Sequence, residues 1–219
     1  MSQYRRLRLP GSSIFFTVSL AQRGSALLVD EIERLRLAVA QTKRERPFTI
    51  DAMVVLPDHL HCVWTLPPGD SDYATRWGAV KSRFTRLLRD ACRVGFHPTV
   101  ARSEGRPVGW NPTLPKTRSM LRKGDAGIWQ RRFWEHHVRS TAEYHDLIAH
   151  CWMDPVRHGL ARAPQDWPHS SIHRDLRNGT LSEPPKVGWN PTLQSKRAGS
   201  PPPSSTHETG LNRPSSAPR

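Results

Sequence analysis

Apolar positions along this chain switch between a period of two and a period near 3.6, and the switches mark out its elements. Ile14-Phe15-Phe16-Thr17-Val18-Ser19-Leu20 is a β-branched and aromatic run bounded by turn residues, which predicts a central strand. Ile32, Leu35 and Val39 then recur at helical spacing. Asp30 with Glu33 offers a capping-box pattern at the start of that segment and Pro47 closes it, so a first helix is expected with its Arg and Lys residues toward water. From 48 to 66 the period returns to two. Phe48 to Leu56 reads as one strand, Pro57-Asp58 as a turn, and the run after it as the second strand of a hairpin. Beyond Pro67-Pro68-Gly69-Asp70-Ser71, a second helix is predicted with Trp77, Val80, Phe84 and Leu87 on one face. Arg76, Lys81, Arg83, Arg86 and Arg89 occupy the rest of its surface. Ser140 with Glu143 caps a third helix, whose apolar stripe is Tyr144, Leu147, Ile148 and Cys151. Pro155 disfavours helix at the residue before it, which places His150 and Asp154 in the last turn.

Two segments fit neither period. Residues 93–127 gather Gly, Pro, Ser and Arg and read as a poorly ordered insertion loop. From Pro184 to Arg219, eight of 36 residues are proline and few are apolar, so a disordered, basic Pro/Ser-rich tail is expected over 184–219. That leaves one domain over 1–180, an ordinary size for a single core. Lys and Arg number 33 against 19 Asp and Glu, a net charge of +14, which puts polyanions first among partners. No apolar run approaches the roughly 20 residues that a spanning helix needs, so a cytoplasmic protein without a membrane partner is expected. Cys62, Cys92 and Cys151 are odd in number and widely spaced, against a disulfide framework or a structural zinc site; at least two are expected in the core.

The candidate chemistry lies in Leu56-Pro57-Asp58-His59-Leu60-His61-Cys62-Val63-Trp64. Side chains alternate along a strand, so His59 and His61 share one face and can present two imidazoles to a single ion. A bare His-x-His is as often a pair of surface histidines, and context has to decide. His150 and Asp154 stand four residues apart on one helix face, off the apolar stripe. Trp129-Gln130-Arg131-Arg132-Phe133-Trp134-Glu135-His136-His137 interleaves aromatics with cations, a combination suited to single strands, since bases stack while phosphates pair with Arg; a core strand with a basic face, with Phe133 or Trp134 buried, fits the same run. The basic surface of the second helix suits phosphates as readily as solvent.

Four stretches occur together and in order: Leu-Pro-Asp-His-Leu-His at 56–61, Ile-Trp-Gln-Arg-Arg-Phe-Trp-Glu-His at 128–136, Asp-Pro-Val-Arg-His-Gly-Leu at 154–160, and Asp-Trp-Pro-His-Ser-Ser-Ile-His-Arg at 166–174. In this combination the chain resembles the REP-associated tyrosine transposases, single-tyrosine members of the HUH nucleases, over about residues 1–178 apart from the loop. The resemblance implies an α+β fold, a ferredoxin-like core with a central antiparallel sheet and helices packed on one side. It implies metal-dependent nicking and rejoining of single-stranded DNA at REP-like hairpins. Mg²⁺ or Mn²⁺ would be held by His59, His61 and Asp154, the last falling where the family has an Asn. The family's nucleophilic tyrosine falls on His150. Tyr144 matches a structural aromatic. Arg5, Arg6, Arg8, Lys81, Arg83, Arg131, Arg132, Trp134, His136, Arg157 and His158 are the expected DNA-binding residues. The protein would work as a monomer or homodimer. Because an imidazole in place of the phenol gives a more labile intermediate, the alternative is a non-catalytic protein that still binds the hairpin. A metal-dependent RNA-binding or ribonuclease domain fits the charge and the histidines alone.

Val94-Gly95-Phe96-His97-Pro98-Thr99, Val108-Gly109-Trp110-Asn111-Pro112-Thr113 and Val187-Gly188-Trp189-Asn190-Pro191-Thr192 are near-copies. They read either as turn-forming units that each offer an aromatic to a base or as translated DNA. VGWNPT can be written GTGGGG-TGGAA-CCCCAC, an inverted repeat whose reverse complement encodes VGFHPT. On the second reading, copies of a REP-like hairpin lie inside the gene, at sites that tolerate insertion. The gene's nucleotides are expected to preserve the inverted repeat at all three places; codons that break it would exclude this origin.

Overall fold

The computed structural model describes residues 6–93 and 127–182. Arg5, the 94–126 part of the expected loop, the three repeats and the tail lie outside the described residues. Four strands, β1 Ser13–Ser19, β2 Thr49–Val55, β3 His59–Thr65 and β4 Trp134–His137, form one antiparallel sheet in the order β2-β3-β1-β4. The β2–β3 hairpin turns at Pro57-Asp58 as the pattern predicts, and β3 is central, paired with β1 on its other side. The β2–β3 register slips between Ile50 and Ala52. Arg174 donates to the carbonyls of Ile50 and Asp51 at 2.7 Å each, which supplies partners for backbone groups beside the irregularity.

The helices are α1 Leu27–Asp30, α2 Ile32–Glu45, α3 Tyr73–Arg93, α4 Thr141–Arg157 and α5 Ile172–Arg177, with a 3-10 turn at Pro164–Asp166. The α+β class and the central antiparallel sheet are as expected. Packing on one side holds for α2 and α3 and not for α4. Ile14, Phe16, Val18, Leu60, Cys62 and Trp64 point to a core closed by Leu35 and Val39 of α2 and by Trp77, Val80, Phe84 and Leu88 of α3. Phe15, Ala52, Val54, Leu56 and Val63 point the other way, to Leu147 and Cys151 of α4. The physical reason is already in β1: its apolar residues fall on both parities, so each face of the sheet has to be covered.

Three local expectations change. Asp30 does not cap the first helix. Leu27 and Leu28 are buried and pull a short turn of helix forward; the chain kinks at Glu31, which precedes Ile32 without a side-chain cap and pairs with Arg34 instead. Leu87 is only half-buried, Leu88 taking the interior position, and Arg76 is not a surface cation but lies 4 % exposed under the α3 N-terminus. Finally, α4 runs through Pro155 to Arg157, so Asp154 sits in the last turn and His150 one turn earlier. The Ser140 cap is as read, its hydroxyl accepting from the Glu143 amide at 3.1 Å.

Cys62 and Cys151 are both buried, in the two different cores, and burial pushes both thiols up. Among the described residues, no helix is long and apolar enough to cross a membrane.

Candidate metal centre and the surface around it

Period-two alternation on β3 turns Leu60 and Cys62 into the first core and His59 and His61 onto the α4 face. Each ring is oriented through Nδ1. His59 Nδ1 lies 2.6 Å from Asp58 Oδ1, and Asp58 is itself held by the Gly24 amide at 2.8 Å. His61 Nδ1 lies 2.9 Å from Thr17 Oγ1, its cross-strand partner, and its ring stacks on Phe15 at 5.4 Å. A carboxylate that accepts from Nδ1 fixes the tautomer, so the Nε2 lone pair of His59 is left for another partner.

The Leu147–Cys151 stripe sets the rotation of α4 over the sheet, which turns the His150–Asp154 face onto these rings. Asp154 is 4 % exposed, and its Oδ2 has no hydrogen-bond partner. Around that oxygen stand His61 Nε2 at 3.3 Å, His158 Nε2 at 3.5 Å and His59 Nε2 at 3.7 Å, while His150 Nε2 lies 4.0 Å from Oδ1. The potential ligand atoms form two trios that share Asp154: His59, Asp154 and His158, and His61, His150 and Asp154. A buried carboxylate oxygen without a hydrogen bond, faced by several imidazole nitrogens, is a donor set that a divalent cation satisfies.

The electrostatics agree with the geometry. Burial pushes the Asp154 carboxyl up, but the rings of His59 and His61 outweigh it and hold the group well below the usual carboxylate range, so it is ionised. Burial lowers His59, and Asp154 and Asp58 more than restore it; His61, more deeply buried, stays lowered despite Asp154. His150 falls to about 4 through burial and the neighbouring His61 ring. It is therefore neutral near pH 7. Arg157 Nη1 approaches its Nδ1 at 2.6 Å, and because a guanidinium can only donate, the proton of the neutral ring resides on Nε2.

The expected DNA-binding residues divide. Trp134 and His136 lie on the sheet face that carries His59 and His61: Trp134 is 46 % exposed, meets Phe15 edge-on at 5.6 Å and stacks on His136 at 5.7 Å, and His136 Nε2 lies 2.7 Å from Glu143 Oε1. Arg157 and His158 flank Asp154 on the other side of the site. Arg131 and Arg132 are exposed at the entry to β4, and Arg8 is exposed near the N-terminus. Arg6 covers the Phe133 ring at 4.2 Å and pairs with Glu135 at 3.6 Å. Lys81 Nζ donates to the Gln130 carbonyl at 2.9 Å. Arg83 is spent elsewhere: it binds Thr42 and Glu45 of α2, in the helical layer behind the sheet, because α3 turns this flank toward α2. Sequence reasoning missed Thr17 and Asp58 as orienting groups and His158 as a potential ligand. An acidic residue immediately before His59 was the visible signal for Asp58.

No family model matches the chain. A curated relative from Escherichia coli (strain K12), a REP-associated tyrosine transposase, is 39 % identical over 179 residues, which is 82 % of this chain and 87 % of the relative. The chain belongs to the REP-associated tyrosine transposases. A second relative, a putative member of the same family from Haemophilus influenzae (strain Rd), is 36 % identical over 90 % of this chain and 98 % of its own length. A solved structure of a REP-associated tyrosine transposase bound to a REP hairpin superimposes with a TM-score of 0.66 at 35 % identity, over 92 % of this chain and 98 % of that one.

For a member of a tyrosine family, the described tyrosines are placed oddly. Tyr73 is buried in the other core, its hydroxyl donating to the Leu7 carbonyl at 2.9 Å. Tyr144 packs beside the α4 stripe; burial and Asp51 push its phenol up to about 12, the wrong direction for an attacking group. Tyr4 lies outside the described residues. The side chain of α4 that faces His61 and Asp154 is His150, whose ring centroid lies 5.3 Å from that of His61.

Proposed function

We propose that this chain recognises REP-like DNA hairpins and presents one strand's phosphate to a metal centre laid out for nicking and rejoining. The observation that carries this is the Asp154 carboxylate, buried without a hydrogen bond and ringed by the Nε2 atoms of His59, His61 and His158. Membership of the family and the superposition on a hairpin-bound relative support it.

His59, His61 and Asp154 would hold Mg²⁺ or Mn²⁺, which offsets charge developing on a phosphate in the transition state. The protein's own groups do the rest. Asp58 and Thr17 fix the two strand imidazoles. Trp134, stacked on His136, offers a base an exposed aromatic next to the site, and Arg131, Arg132 and Arg157 supply cations for the backbone. The oligomer, monomer or homodimer, does not alter this assignment, since every group named comes from one chain.

A second reading, hairpin binding without a covalent step, is favoured by the Arg157–His150 contact. Attack by His150 Nε2 would form an N–P bond and break the bond from phosphorus to the 3′ oxygen, which takes up a proton. Arg157 leaves Nε2 protonated, so that nitrogen has no lone pair to use. The test is a binding and adduct assay with a REP-type hairpin oligonucleotide and Mn²⁺. The parent protein is expected to retard the hairpin and give little covalent adduct, and His150→Tyr to give abundant adduct. Equal adduct from both would make His150 a working nucleophile, and failure of the parent to retard the hairpin would overturn the whole assignment.

A further inference from the structure

We propose that His158 is a metal ligand in its own right and that, with His59 and Asp154, it makes a two-imidazole, one-carboxylate site for borderline ions such as Zn²⁺ or Co²⁺. This inference rests on the metal centre argued above and changes both its donor set and its preferred ion.

Of the two trios that share Asp154, only one has every donor free. In the trio of His61, His150 and Asp154, the Nε2 of His150 carries the ring proton because Arg157 donates to Nδ1. In the trio of His59, Asp154 and His158, His59 has its lone pair released by Asp58, and Asp154 Oδ2 has no hydrogen-bond partner. His158 brings its Nε2 to 3.5 Å from that oxygen, and its ring meets the His59 ring edge-on at 5.3 Å.

His158 arrives there for a backbone reason. It follows the last residue of α4, its amide still bonded to the Asp154 carbonyl at 3.0 Å, and so stands one turn beyond Asp154 on the same helix face. Gly159 then takes φ +68°, ending the helix immediately after it. His61 Nε2, 3.3 Å from the same carboxylate oxygen, belongs to the other trio.

Two imidazoles and one carboxylate, with a fourth position left for water, are a poor match for Mg²⁺, which takes oxygen ligands, and a good one for Zn²⁺. Size points the same way. Around a tetrahedral ion with bonds of about 2.0–2.1 Å, neighbouring donors stand about 3.3 Å apart. The two nitrogens of this trio, of His158 and His59, lie 3.5 and 3.7 Å from Asp154 Oδ2.

The experiment is calorimetric titration of the full chain with Zn²⁺, Co²⁺, Mn²⁺ and Mg²⁺, repeated for His158→Ala and His158→Gln, with circular dichroism to show that each variant is folded. Zn²⁺ is expected to bind more tightly than Mn²⁺ in the parent, as it does at most such sites. The discriminating result is that both variants lose about tenfold or more in Zn²⁺ affinity and nearly none in Mn²⁺ affinity. The Co²⁺-loaded parent is expected to show the intense visible band of a low-coordinate ion, lost in both variants. Unchanged Zn²⁺ affinity and an unchanged Co²⁺ spectrum in folded variants would overturn this inference and leave the proposed function standing. If no divalent ion binds the parent, both fall together.

Discussion

Asp154→Ala is expected to weaken divalent-cation binding by at least about 100-fold, measured by titration calorimetry. Asp154 is the donor common to every potential ligand group in the molecule's described part, and its oxygen is the point on which three imidazole nitrogens converge. Changing a partner that only orients a ligand costs about 10–100-fold, so removing the shared ligand sets a higher floor. Asp58→Ala supplies the internal scale. It leaves all donors in place and frees the His59 ring, and is expected to fall in that 10–100-fold range. An Asp154→Ala protein that binds the ion as well as Asp58→Ala does would place the ion elsewhere. Hairpin affinity measured in chelator is expected to change little in either variant, because the exposed cations and Trp134 remain.

Arg76→Ala is expected to destabilise the fold by about 2–4 kcal/mol, because three backbone carbonyls lose a charged donor while the half-exposed Asp70 is left to solvent. For a domain of this size that lowers the melting temperature by on the order of 10 °C in calorimetry or circular dichroism. Its guanidinium donates to the carbonyls of Arg46, Pro47 and Asp72 at 3.3, 2.8 and 2.9 Å and meets Asp70 at 2.6 Å, tying the end of α2 to the start of α3. Arg83→Ala is the control. Its Glu45 partner sits at the surface, where solvent screens the pair, so only a small loss is expected. Similar losses from the two variants would mean that the Arg76 cage is not a structural keystone.

The contrast between these arginines shows what the sequence could and could not convey. The β2–β3 hairpin and the shared face of His59 and His61 were legible because alternation on a strand is strictly local, and so was the Ser140 cap, which involves residues three apart. The register that opposes Thr17 to His61 is a long-range fact, and the hydroxyl that orients the ring comes with it. Periodicity made Arg76 polar and therefore exposed; only the loop carbonyls that fold over it explain why it is inside. The covering of both faces left only a trace in β1, where Phe15 alone is apolar on the second parity, and that trace does not say which helix covers it. His158 was recognised as basic. That it reaches Asp154 depends on where α4 stops, and Pro155 pointed to a stop at Asp154, three residues too early.

The pocket around His150 has a genetic corollary. Histidine codons, CAT and CAC, differ from tyrosine codons, TAT and TAC, by one transition at the first base, while His59, His61, Asp58 and Asp154 stand assembled around the position. In the reading proposed above, a lineage carrying this gene is a single point mutation away from regaining a phenol beside a finished centre, so loss of mobility here would be readily reversible.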